Sequence, residues 1–426
     1  MFVFDSLKVL AGEGREIRIG LIGAGFMGRG IVEVVETVPA MSVVAISDVE
    51  LERAENCFRE IGVSDYRHIR HSGELARVRF PEERVVCSDY RLIPALEGID
   101  VVIEATGVPE IGASAAYESI RNGKHVGMLN VEADVTVGYY LQRLAKKYGV
   151  VYTVCTGDEP AALKELYDFA LTCGFTVTAC GKGKNNPLDV SATPDSLAGR
   201  AERMGLSPKI LTEFVDGSKT MVEMSCLANG TGLTIDKRNM HGPHADVDEL
   251  ARVFTTRENG GILGRRGVVD YVIGNLAPGV FMVVRHEGRL ANRTLEYLRI
   301  GSGPDFVLYR PYHLTSVEVP VSIALAFLYR KACLATENPP TTEVITIAKR
   351  DLKRGDHLDR IGGWTVYGGI ETASRAKEEN LLPLGLAEGA RLNVDVPAGS
   401  AVSLHQVELR PGVLLELRRI QDTLDV

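Results

Sequence analysis

The sequence predicts an α/β fold: a doubly wound parallel sheet, followed by an α+β domain and a small β-rich module. Three observations carry that expectation. Apolar strand-like runs alternate with helical patterns through residues 1–155. A glycine turn, GAGFMG at 23–28, joins the first apolar run (Ile19, Leu21, Ile22) to a helical run (Ile31, Val34, Val35). Beyond Glu343, short strands are separated by turn residues.

The elements follow in order. Residues before Arg18 read as a short helix with Phe4, Leu7 and Leu10 on one side. In the turn, Gly23 permits the tight bend and Gly25 lets backbone N–H groups approach a pyrophosphate, with Phe26 and Met27 between it and Gly28. Gly28 lets the helix pack closely on its strand, and the helix N-terminus carries the phosphate charge. A second strand, 41–47, ends at Asp48, about 20 residues past Gly28, where an acid holds a ribose hydroxyl. Strand, turn, helix and acid in this order predict a nicotinamide-type dinucleotide. Asp48 also suits a helix start, because Ser47 and Glu50 stand at capping-box spacing before the helical run 51–61. Arg53, one turn inside, can meet a 2′-phosphate, so NAD and NADP both stay open.

Residues 64–84 are polar and basic and read as a surface excursion. The rhythm resumes with a strand at 85–87, a short helix at 92–96 and the apolar strand 99–107. Glu104, Ala105, Thr106 and Gly107 fall at its carboxyl end, where ligands bind in such sheets. A helix at 113–121 leads to a strand, 125–129, that delivers Asn130 and Glu132 to the same edge. A helix at 139–148 and a strand at 150–154 complete the first domain.

At TGDEP, residues 156–160, Asp158 and Glu159 open a helix, where they serve as caps or take a chemical role. A strand, 175–179, runs into the loop CGKGKNNPLD. There Lys182, Lys184, Asn185 and Asn186 suit an anionic, oxygen-rich substrate. One long helix, 208–228, places Asp216, Lys219 and Glu223 on one face, as an ion-pair ladder or as chemistry. His241 and His244 sit in a loop, where a lone histidine is commonly incidental. LYRPYHL presents Arg310 as an anion clamp, with Tyr312 and His313 beside it. ENPPTTE, 337–343, marks a linker, and the strand-rich module beyond it carries little catalytic chemistry.

Composition limits the function classes. At 426 residues two or three domains are expected, and a formal net charge of -8 argues against a nucleic-acid surface. Seven scattered cysteines without metal spacing read as reduced thiols of a cytoplasmic protein. The first residues lack a basic n-region, and the longest apolar stretch, 319–328, is too short to cross a bilayer, so no targeting or membrane role is expected.

Three resemblances rest on these residues. GLIGAGFMGRG, DVVIEATG and GKHVGMLN resemble the homoserine dehydrogenase and glucose-fructose oxidoreductase groups of Rossmann enzymes. Sugar oxidoreductases of the second group place Glu-Lys-Pro after GKHV; here stand Leu129, Asn130 and Val131, so their catalytic lysine is absent at that place. AKRDLKRGDHL makes the tail similar to the SAF domain of sialic acid synthases, type III antifreeze proteins and flagellar P-ring chaperones. GDEPAALKELYDFA, GKGKNNPL, EFVDGSKTMVEM and LYRPYHL, together with that tail, resemble the deoxyxylulose-phosphate reductoisomerase-like oxidoreductases, a family related to homoserine dehydrogenase.

This resemblance implies a Rossmann domain at 1–155, an α+β catalytic and oligomerisation domain at 156–336 and a SAF domain at 337–426, in a homo-oligomer. It implies NADPH-dependent reductive isomerisation of a ketose phosphate such as 1-deoxy-D-xylulose 5-phosphate, an isoprenoid precursor reaction. Asp158, Glu159 and Glu223 would hold a divalent Mg or Mn ion. Lys182, Lys184 and Arg310, with Asn185 and His313 nearby, would bind the anion or polarise the carbonyl. The enzymatic alternative is plain dehydrogenation of homoserine, a polyol or a sugar acid, with Asp216 and Lys219 as a proton-transfer pair. A non-catalytic dinucleotide sensor is the remaining alternative, and the density of reactive polar residues in 156–336 counts against it.

Overall fold

The structure, a computed structural model, describes residues 3–424. Its first sheet contains β1 (Ile17–Ile22), β2 (Met41–Ser47), β3 (Arg67–His68), β4 (Val85–Cys87), β5 (Val101–Glu104), β6 (His125–Met128) and β7 (Tyr152–Val154). They lie in the order β3-β4-β2-β1-β5-β6-β7, every pairing parallel. Every residue of β2 is buried, as a strand covered on both faces requires. The helices are α1 (Val3–Gly12), α2 (Phe26–Val35), α3 (Leu51–Glu60), α4 (Leu92–Ala95), α5 (Pro109–Arg121) and α6 (Val131–Tyr148). One apolar core joins the sheet to α1, α2 and α3; a second joins it to α4 and α5. The connections reverse direction between β1 and β5, which makes the ends of these two strands the ligand crevice of a Rossmann sheet.

The chain forms two compact units whose limits differ from the expected ones. The first runs to Ala161 and takes back Leu314–Glu337 and the chain from Glu416; the second comprises Ala162–His313 and Asn338–Leu415. The second unit contains α7 (Glu159–Thr172) from Ala162 on, β8 (Thr176–Lys184), α8 (Pro194–Met204), α9 (Pro208–Val215), α10 (Ser218–Thr231), β9 (Val268–Ile273), β10 (Val280–Arg285) and β11 (Asp305–Arg310). Its mixed sheet has the order β11-β10-β8-β9. Residues 338–415 add an antiparallel pair, β12 (Thr342–Ala348) and β13 (Val366–Thr372). They do not trail from a free linker. The Asn229 side-chain oxygen in α10 accepts the Thr341 and Thr342 N–H groups, each at 2.9 Å.

Several expected elements are corrected. The apolar stripe of α1 is Val3, Leu7 and Leu10, and Phe4 is exposed. Part of the basic excursion forms the edge strand β3. The helix expected at 139–148 starts at Val131, because Asn130 caps it by accepting the Ala133 N–H. The single helix expected over 208–228 is two, broken at Gly217, whose φ of +85° is left-handed. The lysine-rich loop is strand: β8 continues through Lys184. Its glycines are not turn signals. A Cβ on Gly181 would lie 1.8 Å from the Asp270 carbonyl oxygen, and one on Gly183 2.3 Å from the Ala277 nitrogen. Among the described residues no helix is long and apolar enough to cross a membrane, and all seven cysteines are free thiols.

Candidate functional site

In the first unit the glycine turn has the geometry its sequence predicts. Gly23 has φ +99°, and a Cβ there would lie 2.8 Å from the Ala105 carbonyl, so the turns after β1 and β5 touch. A Cβ on Gly28 would lie 2.0 Å from the Gly23 oxygen. Gly25 is different: nothing stands within 4 Å of its Cβ position, and no side chain caps α2 there. Phe26 is 87 % exposed and Met27 is partly exposed. An open approach to an uncapped helix N-terminus fits a pyrophosphate.

Asp48 closes the same turn. Its Oδ2 accepts the Ala24 N–H at 2.8 Å and its Oδ1 the Glu50 N–H at 2.9 Å. Asp48, rather than Ser47, therefore takes the amide at the start of α3. Arg53 pairs with Glu50 at 2.7 Å on the surface. After β5, Glu104 accepts the Thr106 N–H at 2.9 Å and also its hydroxyl. Glu104 is fully buried, which pushes its carboxyl up to about 7 against the opposing pull of Thr106 and Asn130. Gly107 turns away with φ +65°. Sequence reasoning placed Glu104 at the ligand-binding edge of the sheet but gave it no role of its own, although an acid ending a fully apolar strand is itself a signal.

In the second unit, Cys180, Lys182 and Lys184 alternate onto one face of β8. Lys182 forms an ion pair with Glu223 of α10, their side chains 10 % and 2 % exposed. Lys184 donates to the Phe214 carbonyl at the end of α9. Burial, then Lys182, pull its pKa down to about 8, with Asp216 and Glu223 opposing. In register, Lys182 pairs with Val280 and Val280 with Arg310, so the three form one row on one sheet face. The Arg310 guanidinium lies 3.1 Å from the Glu165 carboxylate of α7 and 4.8 Å over the Tyr312 ring.

Other expected site residues are placed differently. Asp216 lies outside α10, so it shares no helix face with Lys219 and Glu223. Its partner across 2.8 Å is Lys349, not Lys219, which is half-buried in the first turn of α10. Asn185 is exposed in the turn after β8 and accepts from Asn186. His313 is half-buried beyond β11. Asp158 and Glu159, at the start of α7, bring their carboxylates close enough to share one cation as expected, whereas Glu223 faces the Lys182 ammonium. His241 is tied down: its Nε2 lies 2.8 Å from Asp236, and Asp270 accepts its backbone N–H. Lys349 was missed because a lysine at a strand end, in AKRD, reads as solvated surface.

Residues 157–319 match the family model described as "Oxidoreductase DRL, catalytic domain". The chain is an oxidoreductase. No curated protein matches it. Among solved structures it is similar to a probable dehydrogenase from Thermotoga maritima, with 16 % identity, 71 % of this chain and 70 % of that one covered, and a TM-score of 0.35. It is also similar to scyllo-inositol dehydrogenase from Lactobacillus casei with bound NAD(H) and scyllo-inositol, with 14 % identity, 70 % and 76 % covered, and a TM-score of 0.40.

Proposed function

We propose that this oxidoreductase is a nicotinamide-dependent dehydrogenase acting, without isomerisation, on a hydroxyl or carbonyl carbon of a small, oxygen-rich anion. The dinucleotide belongs on the turn of Gly23, Gly25 and Gly28, and it would supply or accept the hydride. One observation carries the substrate side: Lys184, buried and with its pKa brought down to about 8, adjoins the Lys182–Glu223 pair. An amine poised near neutral pH can give a proton to a forming alkoxide or take one from a hydroxyl. Lys182 and Arg310, on one sheet row, supply positive charge for a carboxylate or phosphate of the substrate.

Reductive isomerisation, which the sequence resemblance implies, calls for a cation ordering adjacent oxygens. Glu223, one of its three expected ligands, is held by Lys182 instead, which favours the simpler reaction. The test is a panel of polyols, sugar acids, homoserine and ketose phosphates with both cofactors, followed at the reduced-nicotinamide absorbance. Turnover with an unrearranged carbon skeleton supports the proposal. A rearranged product, or cofactor binding without turnover on any member, overturns it.

A further inference from the structure

Lys349 stands just past β12, in the module the sequence left without chemistry. Its side chain is 2 % exposed, and its ammonium lies 2.8 Å from Oδ2 of Asp216, whose side chain is fully buried. The same Nζ donates to the carbonyls of Ala192 at 2.7 Å and Gly363 at 2.8 Å. Buried charges persist only where such partners hold them. Asp216 in turn accepts the Ser218 N–H at 2.8 Å, which fixes the break between α9 and α10. Two residues before Asp216, the Phe214 carbonyl takes the ammonium of Lys184. The end of α9 therefore joins Lys349 on one side to Lys184 on the other.

We infer that Lys349 is a positioning residue of the Lys182–Lys184 site and acts through Asp216. This rests on the reading of that site as the reacting one. The charged groups that face Lys184 are Lys182 from its own strand, Arg200 from α8, Asp216 from the end of α9 and Glu223 from α10. Lys349 works at one remove. Burial raises the Asp216 carboxyl toward neutrality, and Lys349 is the main influence opposing that rise. Without Lys349 the protonated form of Asp216 is favoured further, and Lys184 loses negative charge from one of its two carboxylates. The Lys184 amine then gives up its proton at lower pH, and the fixed end of α9 that seats it loosens.

The experiment uses the full chain as Lys349→Met, Asp216→Asn and the double variant. The first readout is the titration of the lysine side chains by carbon NMR, with the Lys184 signal identified by its loss in Lys184→Met. It needs no turnover. Both single variants are expected to move the Lys184 midpoint down by roughly one pH unit. The double variant, which leaves neither charge buried alone, is expected to move it in the same direction and decides the matter if the single variants fail to fold. The second readout is steady-state kinetics. The kcat of Lys349→Met is expected to fall roughly ten- to a hundredfold, with the KM for cofactor unchanged and the alkaline limb of the pH profile moved down. A folded Lys349→Met or double variant with an unmoved Lys184 midpoint overturns the inference. A moved midpoint in a protein that turns over no substrate leaves it standing and overturns the functional proposal instead.

Discussion

The carboxylate of Asp48 accepts the Ala24 N–H at 2.8 Å, tying the end of β2 to the glycine turn after β1. Its other oxygen takes the Glu50 N–H, so the carboxylate is fixed as an acceptor while each oxygen keeps a lone pair. A ribose 2′-hydroxyl can donate to such a group, whereas a 2′-phosphate meets like charge. Arg53, the cation that would offset that repulsion, already pairs with Glu50. NADH should therefore bind more tightly than NADPH by roughly tenfold or more, and Asp48→Asn should narrow the ratio. Titration of both cofactors by nicotinamide fluorescence checks this; equal affinities would remove Asp48 from the ribose.

Two glycines of the turn should fail in different ways. Gly25→Val adds its side chain where nothing stands within 4 Å, so the protein should fold normally and lose cofactor affinity. Gly28→Ala places a methyl 2.0 Å from the Gly23 oxygen and should destabilise the first unit by several kcal/mol, about 2 to 4. Thermal melts with and without reduced cofactor separate the two. A Gly25→Val protein that is still stabilised by cofactor would move the pyrophosphate elsewhere.

Glu104 makes a prediction about pH. Its folded carboxyl titrates near 7, above the ordinary 4.5, so between these values the folded state binds more protons than the unfolded one. Stability contributed at this site therefore falls as pH rises from about 4.5 to 7, and the cost is fully present above 7. Glu104→Gln, which can still accept from Thr106, should remove that slope. The variant's advantage over the parent should grow across this window to roughly 3 kcal/mol and then level off. Denaturant melts at several pH values measure it, and a pH-independent difference would refute the buried, titrating acid.

What the sequence disclosed was local, and what it hid was made by distant chain. The glycine turn, Asp48 and the apolar parallel strands follow from φ requirements and continuous hydrophobic runs within a few residues of each other. Gly181 and Gly183 misled because glycine signals both turns and close backbone approach; the Asp270 and Ala277 backbones that demand the second lie far along the chain. The expected ladder of Asp216, Lys219 and Glu223 assumed that helical spacing survives Gly217, which its left-handed φ prevents. Lys349 was invisible for a similar reason. Only folding shows that a polar strand end meets a buried acid on another element.

The last prediction concerns Lys182 and Arg310, which the chain separates widely and the sheet brings together. Directly opposed antiparallel residues share a face, so Lys182, the buried Val280 and Arg310 form a row about 10 Å across, at two strand spacings. Each cation now has a carboxylate partner, Glu223 and Glu165 respectively. A substrate anion entering above Val280 would compete with Glu165, half of whose side chain is exposed, more readily than with the buried Glu223. Arg310→Ala should therefore raise the KM for substrate and lower kcat/KM by the equivalent of about 2 to 4 kcal/mol, with cofactor affinity unchanged. Lys182→Met should cost at least as much and also destabilise the protein, because it takes one cation away from the buried Glu223. Glu165→Gln should act in the opposite sense and lower KM, since it removes one carboxylate that competes for the guanidinium without touching Lys182. If Arg310→Ala and Glu165→Gln both leave KM unchanged while Lys182→Met abolishes turnover, the anion does not span this row and Arg310 is a surface residue of α7's ion pair.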